Sequence, residues 1–587
     1  MARRIPGPAI VLLAAAVASA PLLIHGYSCG HDFDFHLVNW FDALASWHRG
    51  LFYPHWTVSP NYGAGEPRFI FYPPLTWMLG AALRLVMPWA MVPVVLTFLM
   101  LAGAGLGTRA LALKVLGDGP ATLAGCVAIF SGYSLFTSYE RTAFGELTGG
   151  FWIPLLLLFA LCERNQAGSL MKRAFDGSTA LLAVAVGGIW LSDVPLGVMG
   201  CYLLAAAALV TAALRKSWAP VVRAAAGAVL GIGLASIYLV PATWEQRWVD
   251  VAQATDDPGT RIEANWMFAR HSDPAMELHD AVLLKASIIA SSMLLVAFTG
   301  LLVGGLRGRL KARRDWWIML ALIPAVILFL QFPVSLPVWN GLPELQLLQF
   351  PWRWLVVLEA PMGIFIAAAL WPAKLWRQVS FAVVCTAVFV GVALLIPGLF
   401  WQLCDADDSI AGMSSVYRTG AGFEGYNEYA PPEADNSQLA SGLPGACLVA
   451  NPRQKLGAPS EDSDNPVWDP SQHSCEATFP AAWTAPEHLH LSASTNHAGY
   501  LILRLRSYPA WRVTVNGGLA TNLPEREDGL IVVPAAPGAT NVDVRWTTTR
   551  DAIAGRWLSG GAVVLVTLVC LWERKLRRKS RPRLSCS

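Results

Sequence analysis

Residues 8–36 read PAIVLLAAAVASAPLLIH, then GYSC, then GHDFDFH. The run 8–25 is apolar and free of acids, long enough to cross a hydrocarbon core of about 30 Å. Asp32 and Asp34 follow directly, spaced Asp-x-Asp with His31 and His36 on either side, so two carboxylates and two imidazoles sit at a membrane surface. Charged groups are costly near lipid, and clustered ones there usually mark a site. An extended segment places Asp32, Asp34 and His36 on one side; a helix brings Asp32 and His36 together. Either geometry gives a carboxylate a neighbour that tunes its proton affinity. The plainer alternative is a solvated loop or the cap of a helix at the membrane surface.

Apolar runs of spanning length recur along most of the 587 residues, which are 55% hydrophobic and 14% charged, with a mean hydropathy of +0.45. The chain is a polytopic α-helical membrane protein by composition. A net charge of +3 points to no nucleic-acid partner. Basic residues gather in short loops and acidic ones in one block, 401–550, and that asymmetry carries topology. About 12 spans are expected: 8–25, 90–108, 120–138, 147–162, 178–192, 195–214, 220–240, 283–305, 316–332, 353–371, 378–400 and 555–573, with 72–88 only partly inserted. Arg3 and Arg4 before the first span, and the basic clusters at Arg164 to Arg173, Lys216 to Arg223, Arg307 to Arg314, Lys374 to Arg377 and Arg574 to Arg583, then share one side. That side is read as the cytoplasm, with both termini inside. A cleaved leader is the alternative for residues 8–25, but the many later spans favour a retained helix.

The same count places the unusual polar residues together on the outer face: loops 26–71, 139–146, 241–282 and 333–352, with Asp193 beside them. Phe35, Val38, Phe41 and Leu44 recur at three- and four-residue steps, which predicts an amphipathic helix lying on the membrane. Residues 1–400 are thus expected to form the membrane domain. Residues 401–550 form an outer domain, and 551–587 the last span with a basic tail. Alternating stretches at 488–494, 500–506, 511–515, 529–533 and 541–547, with a hairpin signal at Asn516-Gly517, predict a small β-sandwich after an irregular stretch to about 480. It serves as a lid or binds carbohydrate. Cys447 and Cys475 are either a disulfide or two free thiols.

The stretches GHDFDFHLVNWFDAL (30–44), GLFYPHW (50–56) and NYGAGEPRFIFYPPL (61–75) resemble the first periplasmic loop of bacterial GT-C-type glycosyltransferases. More narrowly, they are similar to large bacterial membrane proteins called "6-pyruvoyl-tetrahydropterin synthase-related". YERTAFGE (139–146), LSDVP (191–195), QFPWRW (349–354) and a β-rich segment ending DGLIVVPAAPGATNVDVRW (528–546) extend the likeness over most of the chain. The resemblance implies a GT-C-like fold in a bacterial inner membrane, with the active face in the periplasm. It also implies a sugar donor on a polyprenyl phosphate, and a glycan, lipid or protein acceptor whose hydroxyl attacks with inversion.

Such a reaction needs a carboxylate to take the hydroxyl proton and cations to hold the leaving phosphate. Asp32 or Asp34 is the candidate base, with Glu140 or Glu146 orienting the acceptor or holding Arg141. Arg141 and Arg353 are candidates for the phosphate, with His31 or His36 contributing, and Tyr72 and Trp56 are further substrate-binding candidates. A divalent cation on Asp32 and Asp34 stays open, since two carboxylates suit Mg²⁺ or Mn²⁺. No Walker loop, GxSxG elbow or HExxH helix is present. The competing reading is a non-catalytic transport or assembly protein for lipid-linked saccharides in polysaccharide export, or a GT-C scaffold without activity. Mid-span segments such as 147–162, 220–240 and 378–400 are nearly uncharged, which favours an enzyme over a transporter.

Overall fold

The computed structural model describes residues 6–162, 169–175, 177–255, 258–311, 313–456, 466–469 and 475–580. Arg3, Arg4, Arg164 and the tail beyond residue 580 lie outside them. Among the described residues ten helices are long and apolar enough to cross a membrane. The pair Arg314–Leu330 and Pro333–Gly341, bent by 102°, brings the number to as many as eleven. A further apolar helix, Thr179–Ser192, has only 14 residues. Every expected span therefore has a helix in its place, though one is short and one is broken. In the region 72–112 an 11-residue helix, Pro74–Arg84, precedes one full-length helix, Trp89–Ala112. At about 1.5 Å per residue the shorter one does not reach across a bilayer.

Local chemistry explains where these helices begin and how closely they pack. Proline stands in the first turn of the helices Gly7–Ile24, Val92–Ala112, Val194–Arg215 and Ala219–Glu245, where its missing N–H costs nothing. Asp193 caps Val194–Arg215 by accepting the Leu196 N–H at 2.8 Å. A Cβ on Gly125 would lie 2.5 Å from the Gly105 carbonyl oxygen. Only small residues allow that approach between Val92–Ala112 and Asp118–Ile129. Away from the outer cluster, several of the basic residues close helix ends. Arg309 donates to the Trp371 carbonyl at 2.7 Å and Arg215 to that of Leu161 at 2.9 Å. Cations there meet the negative end of the helix dipole.

Among the described residues nine strands precede the last helix. They are β1 (Ala446–Val449), β2 (Ala477–Phe479), β3 (Ala481–Ala485), β4 (His488–Thr495), β5 (Gly499–Arg506), β6 (Trp511–Val515), β7 (Gly518–Leu519), β8 (Leu530–Ala535) and β9 (Gly538–Trp546). All pairs are antiparallel, in the orders β2-β1-β5-β8 and β3-β4-β9-β6-β7. Leu489, Leu491, Leu501, Leu503, Val513, Val533, Val542 and Val544 fill the space between the sheets. Asn516 and Gly517, with φ of 48° and 80°, make the two-residue β6–β7 turn.

Two expectations need correcting. Phe33–His48 is helical, as its spacing predicts, but it does not lie on the membrane with one face free. Phe33 and every residue from Phe35 to Ala43 are buried, under the 410–423 segment and against Trp77 and Trp89. Residues 139–146 are not a loop either. Thr137–Arg141 is a π-helical turn, Thr142 is left-handed with φ of 49°, and a new helix starts at Phe144. All eight residues are buried, so the motif is an interruption between two membrane helices, a common place for functional groups.

Among the described residues there are two disulfides. Cys447 bonds Cys475, the first of the two alternatives, and Cys29 bonds Cys404, a pairing 375 residues apart.

Candidate functional site

The Asp-x-Asp stretch and the helix break are hydrogen-bonded to each other along their backbones. His31 N–H donates to the Glu140 carbonyl at 3.2 Å, and Asp32 N–H to that of Arg141 at 2.9 Å. A Cβ on Gly30 would stand 2.4 Å from the Glu140 oxygen, so glycine is what lets the segments touch. Asp32 is the residue before Phe33–His48, and His36 N–H donates to its carbonyl, which settles the local geometry as helical.

Two cavities meet here, an outer one of about 830 Å³ and an inner one of about 550 Å³. Asp32, Arg141, Arg353, Gln349, Tyr426 and Glu428 line both. Asp34 and His31 face only the outer space, whereas His36, Tyr72, Glu146 and Asp193 face only the inner one.

Charge is organised around Glu146. Its Oε2 takes the Arg141 guanidinium and lies 3.4 Å from Arg353 Nε, while the Tyr133 hydroxyl donates to its Oε1. One carboxylate thus holds two guanidiniums side by side. Arg141 also stands 3.6 Å from Asp32 Oδ2 and lies over the Trp352 ring at 4.9 Å. Arg353 donates to the Leu348 carbonyl at 3.0 Å, and its Nε makes no hydrogen bond among the described residues. Glu146 and Asp32 balance the two guanidiniums, whose adjacent planar N–H groups suit an oxyanion with several acceptor oxygens.

Burial tunes the remaining groups. Asp34 lines the outer cavity, where partial desolvation raises its carboxyl above the usual range. Asp193 is raised by burial as well. His36 is lowered to about 4 by burial; its Nε2 accepts the Phe144 N–H at 3.2 Å, and its Nδ1 has no partner among the described residues. His31 is also lowered, mainly by burial. Neither imidazole therefore carries the positive charge expected of a phosphate ligand at neutral pH. Burial also keeps Tyr72 a phenol; its ring packs edge-on to Phe35 at 4.7 Å.

Two sequence candidates lie elsewhere. Glu140 is buried behind the cavity wall, bound to Lys285 Nζ at 2.6 Å. Trp56 belongs to the sandwich junction, packed on Trp511 at 5.2 Å and near Tyr508 and Trp546. An aromatic side chain in a loop beside an apolar sheet gains more from burial than from lining a wet pocket. Lys285 and Glu359 are functional-site neighbours that sequence reading missed. Glu359 is the lone charge in the apolar helix Leu355–Leu370, and Lys285 stands in Glu277–Leu306 past the acids of its first turn, where the helix turns apolar; that was the available signal. Glu359 accepts from the Ser131 and Ser134 hydroxyls at 2.9 and 2.6 Å. The carboxylates do not form a cation cage. Asp32 faces Arg141, and among the described residues no group of three or more His, Cys, Asp or Glu is placed to hold a metal.

A family model described as "6-pyruvoyl-tetrahydropterin synthase related domain; membrane protein" matches residues 69–402. No curated protein matches the chain. Among solved structures it is similar to the apo oligosaccharyltransferase of Archaeoglobus fulgidus, with a TM-score of 0.41 and 13% identity over 73% of this chain. That match covers 57% of the archaeal protein, so the chain spans less than two thirds of that relative's length. ArnT from Cupriavidus metallidurans bound to undecaprenyl phosphate gives a TM-score of 0.30 and 15% identity, over 62% of this chain and 76% of the other. The arabinofuranosyltransferase AftD from Mycobacteria gives 0.43 and 12%, over 93% and 57%. Likenesses of this size do not carry a site from one chain to another.

Proposed function

The chain belongs to the 6-pyruvoyl-tetrahydropterin synthase related family of membrane proteins, and from that premise we propose that it is a membrane glycosyltransferase using a polyprenyl-phosphate sugar. One observation carries the reading: Asp32 and the paired guanidiniums of Arg141 and Arg353 meet where two cavities join. The inner cavity takes the donor, its phosphate on Arg141 and Arg353. The acceptor enters through the outer cavity. Its hydroxyl oxygen attacks the anomeric carbon while Asp32 takes the proton, and the carbon–oxygen bond to the phosphate breaks. The lipid phosphate leaves with the bonding electrons, stabilised by the two guanidiniums. A single displacement of this kind inverts the anomeric centre.

Asp32, rather than Asp34, is the base in this scheme because it alone of the two faces both cavities. Glu146 positions the arginines. No step is routed through a divalent ion. Both disulfides lie on the same side as the site, which supports that face being outside the reducing cytosol. The periplasm of a bacterial inner membrane meets that requirement.

The test is purified protein in lipid nanodiscs with a panel of radiolabelled polyprenyl-phosphate sugars and a cell-envelope extract as acceptor source. Transfer of label by the wild type, lost in Asp32→Asn with donor binding intact, is the expected result. Saturable donor binding without turnover would move the assignment to transport or assembly of lipid-linked saccharides.

A further inference from the structure

Residues 420–430 are, by sequence, part of an irregular segment with no assigned role. In the structure they form a strap across 59–66. Tyr62 N–H donates to the Phe423 carbonyl at 2.8 Å, Phe423 N–H to that of Ser59 at 2.9 Å, and Tyr426 N–H to the Glu66 carboxylate at 3.1 Å. At two points the approach excludes any side chain. A Cβ on Gly422 would be 2.4 Å from the Gly63 nitrogen, and one on Gly425 2.2 Å from Asn61 Oδ1. This fixed backbone holds Glu424, Tyr426, Asn427 and Glu428 along one wall of the outer cavity.

The chemistry of that cavity is lopsided. Four carboxylates line it, those of Asp32, Asp34, Glu424 and Glu428. The two arginines that also line it both turn to Glu146. Asn265, 1% exposed, contributes a buried acceptor: its amide nitrogen is taken by the Gly259 and Arg261 carbonyls at 2.7 and 2.8 Å. Its Oδ1 has no partner among the described residues. A buried acceptor without a donor is costly, so this atom favours a ligand that brings hydroxyl groups. Phe350 and Trp352 add stacked rings to the same wall, 4.9 Å apart. Carboxylate and amide acceptors gathered beside aromatic side chains suit a polyol. A volume of about 830 Å³ stands toward the upper end of ligand pockets, about 300–1,000 Å³. An anionic ligand would meet like charge on the strap side.

We infer that the outer cavity selects an uncharged oligosaccharide as acceptor, and that Glu424 and Glu428 are the specificity-determining residues that reject glycans bearing uronate, sulfate or phosphate. This rests on the transferase reading for the word acceptor, but the binding preference stands independently of turnover.

The experiment is an array of immobilised oligosaccharides, neutral and anionic, probed with the labelled full-length protein in nanodiscs. It is repeated with the Glu424→Gln/Glu428→Gln double variant, whose fold is checked by an unchanged melting temperature. The wild type should bind neutral glycans only, and the double variant should gain about tenfold on anionic ones. Strongest wild-type binding to anionic glycans, no binding to any glycan, or an unaltered preference in the double variant would overturn the inference. Binding of neutral glycans without sugar transfer would leave it standing and remove the transferase reading. Transfer to an anionic glycan would do the reverse.

Discussion

Asp32 and Arg141 are joined twice, by the backbone hydrogen bond of 2.9 Å from Asp32 N–H to the Arg141 carbonyl and by the guanidinium standing 3.6 Å from the Asp32 carboxylate. The two residues come from segments over a hundred positions apart, yet neither can shift without the other. That coupling fixes the distance between a proton acceptor and a cation.

Asp32→Asn keeps the shape and the backbone link but removes the base. Turnover should fall by about 100- to 10,000-fold, the range for a lost general base, with donor affinity nearly unchanged. Asp34→Asn, facing only the outer cavity, should cost far less. Initial rates and donor binding on the same preparations decide this.

Arg141→Lys retains charge but loses the planar fork and the stacking on Trp352. Turnover should drop by about 100-fold, comparable to removing one oxyanion donor. Glu146→Gln should act on both arginines at once, raising the donor KM more than it lowers kcat. Steady-state kinetics on the two variants separates direct contact from positioning.

His36 gives a pH signature. Its proton affinity is depressed from 6.5 to about 4 in the folded protein, so the unfolded chain binds more protons between those values. Stability from this group is therefore complete above about pH 6.5 and lost as pH falls toward 4, by up to about 3 kcal/mol. Glu428, pushed up to about 6 by burial, acts in the opposite sense. The measurement is the difference in thermal midpoint between wild type and His36→Gln from pH 7 to pH 4; the wild type should lose more.

Gly30→Ala tests the close approach. With its Cβ 2.4 Å from the Glu140 oxygen, the loop must move, at about 1–3 kcal/mol for a forced fit. Gly117→Ala has nothing within 4 Å and serves as the neutral control. Activity and melting temperature should both fall for the first and stay for the second.

The helical spans were legible because a bilayer demands long apolar runs, and strands β4, β6 and β9 because their side chains alternate between core and solvent. Strand β1 escaped notice since all four of its residues are buried and give no alternation. Strands β2 and β3 are short and lie on either side of Pro480. At the site, Asp32, Arg141, Glu146 and Arg353 were readable from charged residues in otherwise apolar surroundings. Which acid meets which base was not, because that pairing depends on the packing of distant helices. Glu140 and Glu146 look alike in sequence, yet one turns to Lys285 and the other to the arginines. The strap at 420–430 left no periodic trace at all, since its order comes from close contact with another loop.

The Cys29–Cys404 bond makes the polypeptide a covalent ring, closed from just before the Asp-x-Asp stretch to just after the helix Leu375–Leu399. Nearly all the membrane helices belong to that ring, and the sandwich hangs from it as a branch. A single protease cut in any loop between residues 30 and 403 would open the ring without releasing a fragment. Nicked protein should therefore run as one species on a denaturing gel until a reductant is added, and as two afterwards.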